Sequence, residues 1–202
     1  MGKIERASGL HFGPPRRSVL LVGQAPGADG DPRPLTGTMG KRLGELAGLH
    51  LAKDALSAAG LPRDEFIGTL FDRANVLDYY PGRLAESKGD QFPLAHARTA
   101  AAFMWPAIAE HYDRTLFCGK AVWDVFRTCQ AGLDVSERRR EWMSVQALEW
   151  VDGRRYGIHG EVAWMPHTSG IVTWWNDVQN RLRAESFMAC LTVYALGRTA
   201  AA

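Results

Sequence analysis

The chain has little cysteine, and no two of its cysteines have metal-ligand spacing. Of its 202 residues only three are cysteine, namely Cys118, Cys129 and Cys190, and no C-x-x-C occurs. A zinc knuckle or a disulfide framework needs cysteines that are paired and more numerous. We therefore expect neither, and this cysteine usage is best suited to a reducing, cytoplasmic location.

The chain also lacks a long apolar run and a strong excess of one charge. Its most apolar window, residues 100–109, is too short to span a bilayer and contains Pro106. Its 24 basic residues nearly balance 22 acidic residues, so the net charge is +2. A bulk-basic nucleic-acid binder would show a larger excess, although a local cluster of cations would still serve one. We expect a soluble protein without membrane contact.

Two familiar phosphate-binding motifs are missing from the stretch around which the chain is organised. Residues 19–22 are a continuous apolar run, typical of a parallel strand buried on both faces. A loop rich in glycine and proline follows, and then Met39, Leu43, Leu46 and Ala47 recur at helical spacing. This strand, loop and helix contain neither G-x-G-x-x-G nor a closing G-K-[ST], so a dinucleotide or triphosphate loop is not supported.

Strand-like and helix-like segments alternate along the rest of the chain. Further strands are predicted at residues 72–77, 115–118 and 161–165, and helices at 49–59, 90–110, after Gly119, and at 174–196. Residues 136–158 are ambiguous, because Asp152 and Gly153 favour a hairpin whereas residues 138–148 could be helical. The pattern predicts an α/β fold, a three-layer α/β/α sandwich on a mainly parallel four-stranded sheet. A flexible lead-in over residues 1–17 would precede one domain over residues 18–202.

Two of these helices have predicted inward faces. The residues expected to point inward in the helix at 90–110 are Phe92, Ala95, Thr99, Ala102 and Phe103. Those expected inward in the last helix are Val178, Leu182 and Ala189.

Polar residues follow three of the predicted strands. Gln24 begins the first loop, Asn75 lies at the end of the second strand, and His167 follows the last strand. Because carboxyl ends of parallel strands meet at one edge of the sheet, where ligands bind, these residues form a candidate site. Each also has an ordinary alternative, since a strand-end Asn is a common turn former and a lone His commonly braces a loop.

The loops resemble, in order and spacing, the motifs of the uracil-DNA glycosylase superfamily across nearly the whole chain. The first motif of that family, a strand followed by G-Q-D-P-Y or G-E-x-P-G, corresponds to residues 23–27 (GQAPG). Its families 4 and 5 continue to P-F-x-G-x-x-G, and residues 34–40 here are PLTGTMG. The second motif, an Asn that ends a strand, corresponds to Asn75. The third, H-P-S and an apolar residue, corresponds to residues 167–171 (HTSGI).

The resemblance implies a DNA repair enzyme that acts in base excision repair. Such a hydrolase flips uracil out of single- or double-stranded DNA and hydrolyses its N-glycosidic bond, leaving an abasic site. The partner would be uracil-containing DNA and the protein a monomer. Families 4 and 5 carry four cysteines for an iron–sulfur cluster, so three separated cysteines imply no cluster and no cofactor here. Two alternatives stay open: a protein of the same fold that binds DNA or a base without cutting, and an unrelated nucleotide-binding α/β domain.

The resemblance assigns a role to each matching residue. Asn75 would read the uracil edge, because its amide accepts from N3–H and donates to O4, a pattern that cytosine reverses. His167 would donate to O2 as negative charge develops on the departing base. Gln24 and the backbone at Ala25 would also face O2. Leu35 occupies the position of the Phe on which the base stacks in the family.

The chain departs from the family at the carboxylate that positions water. Ala25 stands where the commonest enzymes have Asp, Gln24 where family 4 has an acidic residue, and Thr38 where family 5 has Asp. The stacking Phe is also missing, so the base would rest on an aliphatic face or on Tyr79 or Tyr80.

Three other acidic residues lie close to these motifs. Asp29 is the candidate for the catalytic carboxylate that stabilises the sugar cation and orients water. Asp31 is better explained as a solvated loop residue, and Asp78, three residues after Asn75, is the remaining alternative.

The loop after the last strand is expected to contact DNA. Thr168, Ser169 and Gly170 would approach phosphates, with Thr168 in place of the family's Pro. Ile171 would be the wedge that fills the hole left by the flipped base, unless it packs in the core. Residues 138–140, three consecutive arginines, are more typical of a solvated helix face, and a role facing DNA stays open.

Overall fold

The computed structural model describes residues 18–28, 31, 33–35, 37–48, 63–84, 91–129, 135–167 and 173–200. The predicted lead-in at 1–17 and the predicted helix at 49–59 lie outside these residues.

The described strands form one five-stranded, mostly parallel sheet. They are β1 (Val19–Gly23), β2 (Asp72–Asn75), β3 (Arg114–Cys118), β4 (Val151–Asp152) and β5 (Glu161–Met165). Their order is β2-β1-β3-β5-β4, in which β1 lies parallel to β2 and β3, β3 lies parallel to β5, and β4 is antiparallel to β5. The predicted α/β class and the four predicted strands are confirmed. The prediction of a four-stranded sheet is wrong, because β4 adds a fifth strand at the edge.

The fifth strand comes from the region where the sequence was ambiguous. Val151 pairs with Val162 and Asp152 with Glu161, so the partner of β4 is β5. Of the two alternatives for this region, the hairpin turn at Asp152 and Gly153 does not form, because Gly153–Tyr156 is a 3-10 helix. The Asp152 carboxylate causes this helical turn by accepting a hydrogen bond of 3.0 Å from the Arg154 backbone N–H. The helical alternative is confirmed in part, since Val135–Ser144 is an α-helix.

Helices cover both faces of the sheet. The described α-helices are α1 (Gly37–Gly48), α2 (Arg63–Leu70), α3 (Leu94–His111), α4 (Lys120–Val125), α5 (Val135–Ser144) and α6 (Val178–Ala200). Leu20 and Val22 of β1 pack in a cluster with residues of α3, α4 and α5, whereas Val19 and Leu21 pack in a second cluster with residues of α1, α2 and α6. All four side chains are fully buried, which confirms that residues 19–22 are a strand buried on both faces.

Most of the predicted inward residues of α3 and α6 do not face the core, although Phe92, just before α3, packs against it. In α3 the residues that face the core include Met104, Trp105 and Ile108, whereas Phe103 is 52% exposed. In α6, Val178 and Leu182 are exposed. Alanine on every side of α3 and apolar residues on both sides of α6 leave the periodicity too weak to identify the buried face.

Two tryptophans join α5 to the rest of the core. The indole N–H of Trp123 donates to the Trp142 carbonyl at 2.8 Å, and that of Trp142 donates to the Trp123 carbonyl at 2.9 Å. Their rings stack with centroids 3.6 Å apart, and both side chains are fully buried. Each buried indole N–H needs an acceptor, so the pair satisfies itself reciprocally.

The tryptophan pair should contribute measurably to the free energy of unfolding. Trp142→Phe removes one of the two hydrogen bonds and part of the stacked surface, and should lower the free energy of unfolding by about 2 kcal/mol. Trp174→Phe is the control, because Trp174 is only half-buried and its ring meets Trp175 edge-on. Urea unfolding followed by circular dichroism measures both. Equal losses in the two variants would contradict a special role for the pair.

Candidate functional site

The loops after β1 and β2 begin side by side at the carboxyl edge of the sheet. The Val76 N–H donates to the Gly23 carbonyl at 2.9 Å, and the Leu77 N–H donates to the Gln24 carbonyl at 3.0 Å. The hydrogen-bonded ladder between the two strands therefore continues one step past their ends. Asn75 and Gln24 are held next to one another by this backbone pairing.

A cavity of about 220 Å³ lies at this edge of the sheet. Its lining comes from the loop after β1, the start of α1, the loop after β2 and the residues after β5. The lining residues include Gln24, Ala25, Leu35, Thr38, Tyr80 and His167. The cavity is smaller than sites for drug-sized ligands, which begin near about 300 Å³, and suits one small ring.

The structure places four of the predicted site residues around this cavity and one beside it. Gln24, Ala25, Leu35 and His167 line it. Asn75, the last residue of β2, is only 3% exposed and lies next to the cavity, against Gly23. The predicted residues Asp29, Thr168, Ser169, Gly170 and Ile171 lie outside the described part of the chain.

Leu35 and Asn75 meet at Gly23. A Cβ on Gly23 would lie 2.4 Å from Leu35 Cδ2 and 2.6 Å from Asn75 Oδ1, so only glycine fits at the end of β1. Leu35 is itself 3% exposed and has a φ of 55°, in the left-handed region that a bulky residue rarely adopts. Holding a leucine there costs of order 1–3 kcal/mol, which the surrounding packing must offset.

The side-chain oxygen of Asn75 is buried without a hydrogen-bond partner among the described residues. Leaving a buried acceptor unpaired costs about 1–3 kcal/mol, so native proteins rarely tolerate one without a use for it. A donor from a small ligand would satisfy this oxygen. The turn-forming alternative for Asn75 predicts a side chain bonded to its own backbone, and no such bond is found in this part of the chain.

His167 is positioned by two residues that the sequence did not single out for this role. Its backbone carbonyl accepts a hydrogen bond of 2.9 Å from the indole N–H of Trp175, which is buried. On the other side, a Cβ on Gly119 would lie 3.5 Å from His167 Cδ2, and Gly119 has a φ of 126°. The sequence contained one signal for this contact, the glycine directly after β3. Because β3 and β5 are parallel neighbours, their carboxyl ends lie side by side, and so do Gly119 and His167, which follow them.

The two tyrosines after Asn75 have different surroundings. Tyr80 is half-buried and lines the cavity, so it can offer an aromatic face to a bound ring. The Tyr79 hydroxyl lies 2.7 Å from His96 Nδ1, and its side chain is exposed. Gln24 donates through its side-chain amide to the Gln91 carbonyl at a long 3.4 Å.

None of the described residues that line the cavity is acidic. Asp31 forms an ion pair with Arg33, whose Nη2 lies 2.6 Å from its carboxylate. Hydrogen bonds from the Arg33 side chain and backbone lower the pKa of Asp31 to about 2, so this carboxylate is ionised and braces the loop. Asp78 is exposed to solvent.

The cysteines are dispersed over the fold. Cys118 packs in the cluster that contains Leu21, and Cys129 packs against the cluster on the opposite face of the sheet. Burial raises the pKa of the Cys118 thiol to about 12 and that of Cys129 to about 11. Among the described residues no group of three or more His, Cys, Asp or Glu side chains could hold a metal ion.

No protein-family model matches the chain, and no curated protein matches it. No helix within the described ranges is long and apolar enough to cross a membrane. The geometry of the site is therefore the basis for a proposed function.

The close contact at Gly23 should make the protein sensitive to any side chain at this position. Gly23→Ala should displace Leu35 and Asn75 and lower the free energy of unfolding by about 1–3 kcal/mol, as overpacking does. The matched control is Gly197→Ala in α6, where nothing lies within 4 Å of the added Cβ. That change should stabilise the protein by up to about 1 kcal/mol through helix propensity. Thermal unfolding of both variants measures the difference, and a neutral Gly23→Ala would contradict the close packing.

Proposed function

We propose that this protein is a uracil-DNA glycosylase, a DNA repair hydrolase that flips uracil out of DNA and cuts its N-glycosidic bond. The observation that carries the proposal is the unpaired, buried oxygen of Asn75 beside a cavity sized for one small ring. The motif resemblance and the helices on both faces of the sheet, which fit a three-layer α/β/α sandwich, agree with it.

Base reading would depend on Asn75. In the proposed complex Oδ1 accepts from uracil N3–H, while the amide nitrogen donates to O4. Cytosine carries an acceptor at N3, which would face the Asn75 oxygen and be rejected. Since Asn75 is nearly inaccessible and Leu35 lies against the same strand end, the Leu35 side chain must move aside when a base enters.

Departure of the base would depend on His167. When the bond between C1′ of the sugar and N1 of uracil breaks, its electron pair stays on the base, and the negative charge spreads to O2. His167 would donate a hydrogen bond to that oxygen, and backbone N–H groups near Gln24 and Ala25 would add to it. Trp175 holds the backbone carbonyl of His167, Gly119 lies beside the imidazole, and Tyr80 would supply a face for the ring.

To complete the reaction, the oxygen of a water molecule bonds to C1′, and a proton of that water is transferred to the released uracil. Asp29 is the proposed carboxylate for orienting that water and stabilising the sugar cation. Thr168, Ser169 and Gly170 would hold phosphates of the DNA, and Ile171 would fill the gap in the base stack.

A second candidate function is recognition of a base in DNA without cutting. It is favoured by one observation, namely that no described residue lining the cavity is acidic. Incubation with a uracil-containing oligonucleotide followed by alkali separates the two. Strand breaks at uracil support the glycosylase, whereas uracil-dependent binding without breaks supports the binding protein.

Asn75→Leu tests the role of the unpaired oxygen. Replacing a buried amide that lacks a partner with an apolar side chain of similar size should leave the melting temperature unchanged or raise it. Uracil release should nevertheless fall by about 10³-fold, because the contact to N3–H is lost. Alkaline cleavage of a labelled oligonucleotide and thermal unfolding give the two readouts.

Thr115→Val is the matched control. The Thr115 hydroxyl oxygen on β3 is also buried without a partner in the described part of the chain, but it does not line the cavity. This variant should be as stable as wild type or more stable, with uracil release intact. If Asn75→Leu lowers the melting temperature by several degrees, or cuts uracil DNA like wild type, Asn75 is a structural residue and the proposed base reading is wrong.

A further inference from the structure

A second cavity, of about 630 Å³, lies between helices on the face of the sheet that carries Leu20 and Val22. No described residue lines both this cavity and the one at the strand ends. Its cationic lining consists of four arginines from α3, the 3-10 helix Phe126–Thr128 and α5: Arg98, Arg127, Arg139 and Arg140. We name this the arginine cavity.

The arginine cavity has an excess of positive charge. None of its described lining residues is acidic, and within the described ranges no side chain of the four arginines forms an ion pair or a hydrogen bond. In a chain whose net charge is only +2, four unpaired arginines around one cavity are a strong local excess.

One of these arginines has a buried donor without an acceptor. Arg98 Nε is shielded from solvent and has no hydrogen-bond partner among the described residues. Because an unpaired buried donor is costly, and more so on a charged group, a rotation of the Arg98 guanidinium that brings Nε–H to an anion in the cavity would remove this penalty. Guanidinium groups match the oxygens of phosphate with two parallel hydrogen bonds, which makes phosphate the best-suited anion.

The rest of the lining indicates which phosphate compound fits. Thr128 and Ser144 each donate the hydroxyl hydrogen to the backbone carbonyl three residues earlier, at 3.3 Å and 2.7 Å. The described lining contains no aromatic ring, so it offers no platform on which a base could stack. Arg139 and Arg140 are exposed at the rim, which leaves the cavity accessible to an extended chain. Four cations in this volume suit several phosphates rather than one.

We propose that the arginine cavity binds the phosphodiester backbone of a nucleic-acid strand, independently of base sequence. It would be a second contact with DNA, separate from the site that receives the base. The contact does not depend on base excision, since a protein that binds DNA without cutting it would use these arginines equally. Each arginine that meets a phosphate releases condensed counterions, so binding through this cavity must weaken as salt rises.

The test uses a fluorescent, uracil-free single-stranded oligonucleotide of about 16 nucleotides, and fluorescence anisotropy at several salt concentrations. Arg127→Gln and Arg140→Gln should each reduce the slope of log affinity against log salt by about 0.7. Each should weaken binding by up to about fivefold at low salt, as expected for a partly exposed charge. The matched control is Arg155→Gln, an exposed arginine that does not line the cavity, and it should keep the wild-type slope.

Three results would overturn the proposal. One is an unchanged slope in both cavity variants, and another is an equal drop in Arg155→Gln, which would indicate a diffuse charge effect. The third is competition by inorganic triphosphate together with an affinity that does not increase with oligonucleotide length, which would indicate a small-anion site. Thr115→Val, at a residue that lines neither cavity, should bind this oligonucleotide like wild type. Because the oligonucleotide contains no uracil, its binding does not depend on base excision, so failure of the proposed excision and failure of the arginine cavity are distinguishable.

Discussion

The candidate site depends on the close contact at Gly23. At the end of β1 there is no room for any side chain, because Leu35 Cδ2 and Asn75 Oδ1 occupy that space. The Val76 N–H bonded to the Gly23 carbonyl fixes the start of the neighbouring loop at the same place. One glycine thereby brings together the first strand, the loop before α1 and the end of the second strand.

Both of the proposed binding sites contain features that lower the stability of the folded protein. At the strand ends the Asn75 oxygen lacks a donor and Leu35 holds an unfavourable φ, and each costs of order 1–3 kcal/mol. In the arginine cavity, Arg98 Nε lacks an acceptor within the described structure. The missing partners have opposite chemistry, a donor at the first site and an anionic acceptor at the second. A nucleic acid supplies both, through an N–H of a base and the oxygens of its backbone.

The sequence predicted the elements whose patterns are strong. Continuous apolar residues identified β1, and the spacing of Met39, Leu43 and Leu46 identified the buried face of α1. It did not identify β4, because two residues carry no periodicity, nor the buried faces of α3 and α6, whose apolar residues lie on more than one side.

The candidate site was also predictable only in part, because some of its features depend on contacts between residues that are distant in sequence. Gln24 and His167 follow strands directly, so their place at the carboxyl edge follows from a parallel sheet. The unpaired oxygen of Asn75 lies close to Gly23 and Leu35, which are distant in sequence and whose packing no local pattern specifies. The arginine cavity combines residues of three helical segments, and only residues 138–140 stood out in the sequence.

The most direct test of the central claim is a high-resolution structure of the protein with DNA that contains an uncleavable uracil nucleotide. We expect uracil in the cavity between Gln24 and His167, with its N3 at hydrogen-bonding distance of about 2.7–3.2 Å from Asn75 Oδ1 and the Leu35 side chain displaced. A base bound elsewhere, or a complex in which Leu35 still lies against Gly23 and the Asn75 oxygen stays unpaired, would contradict it.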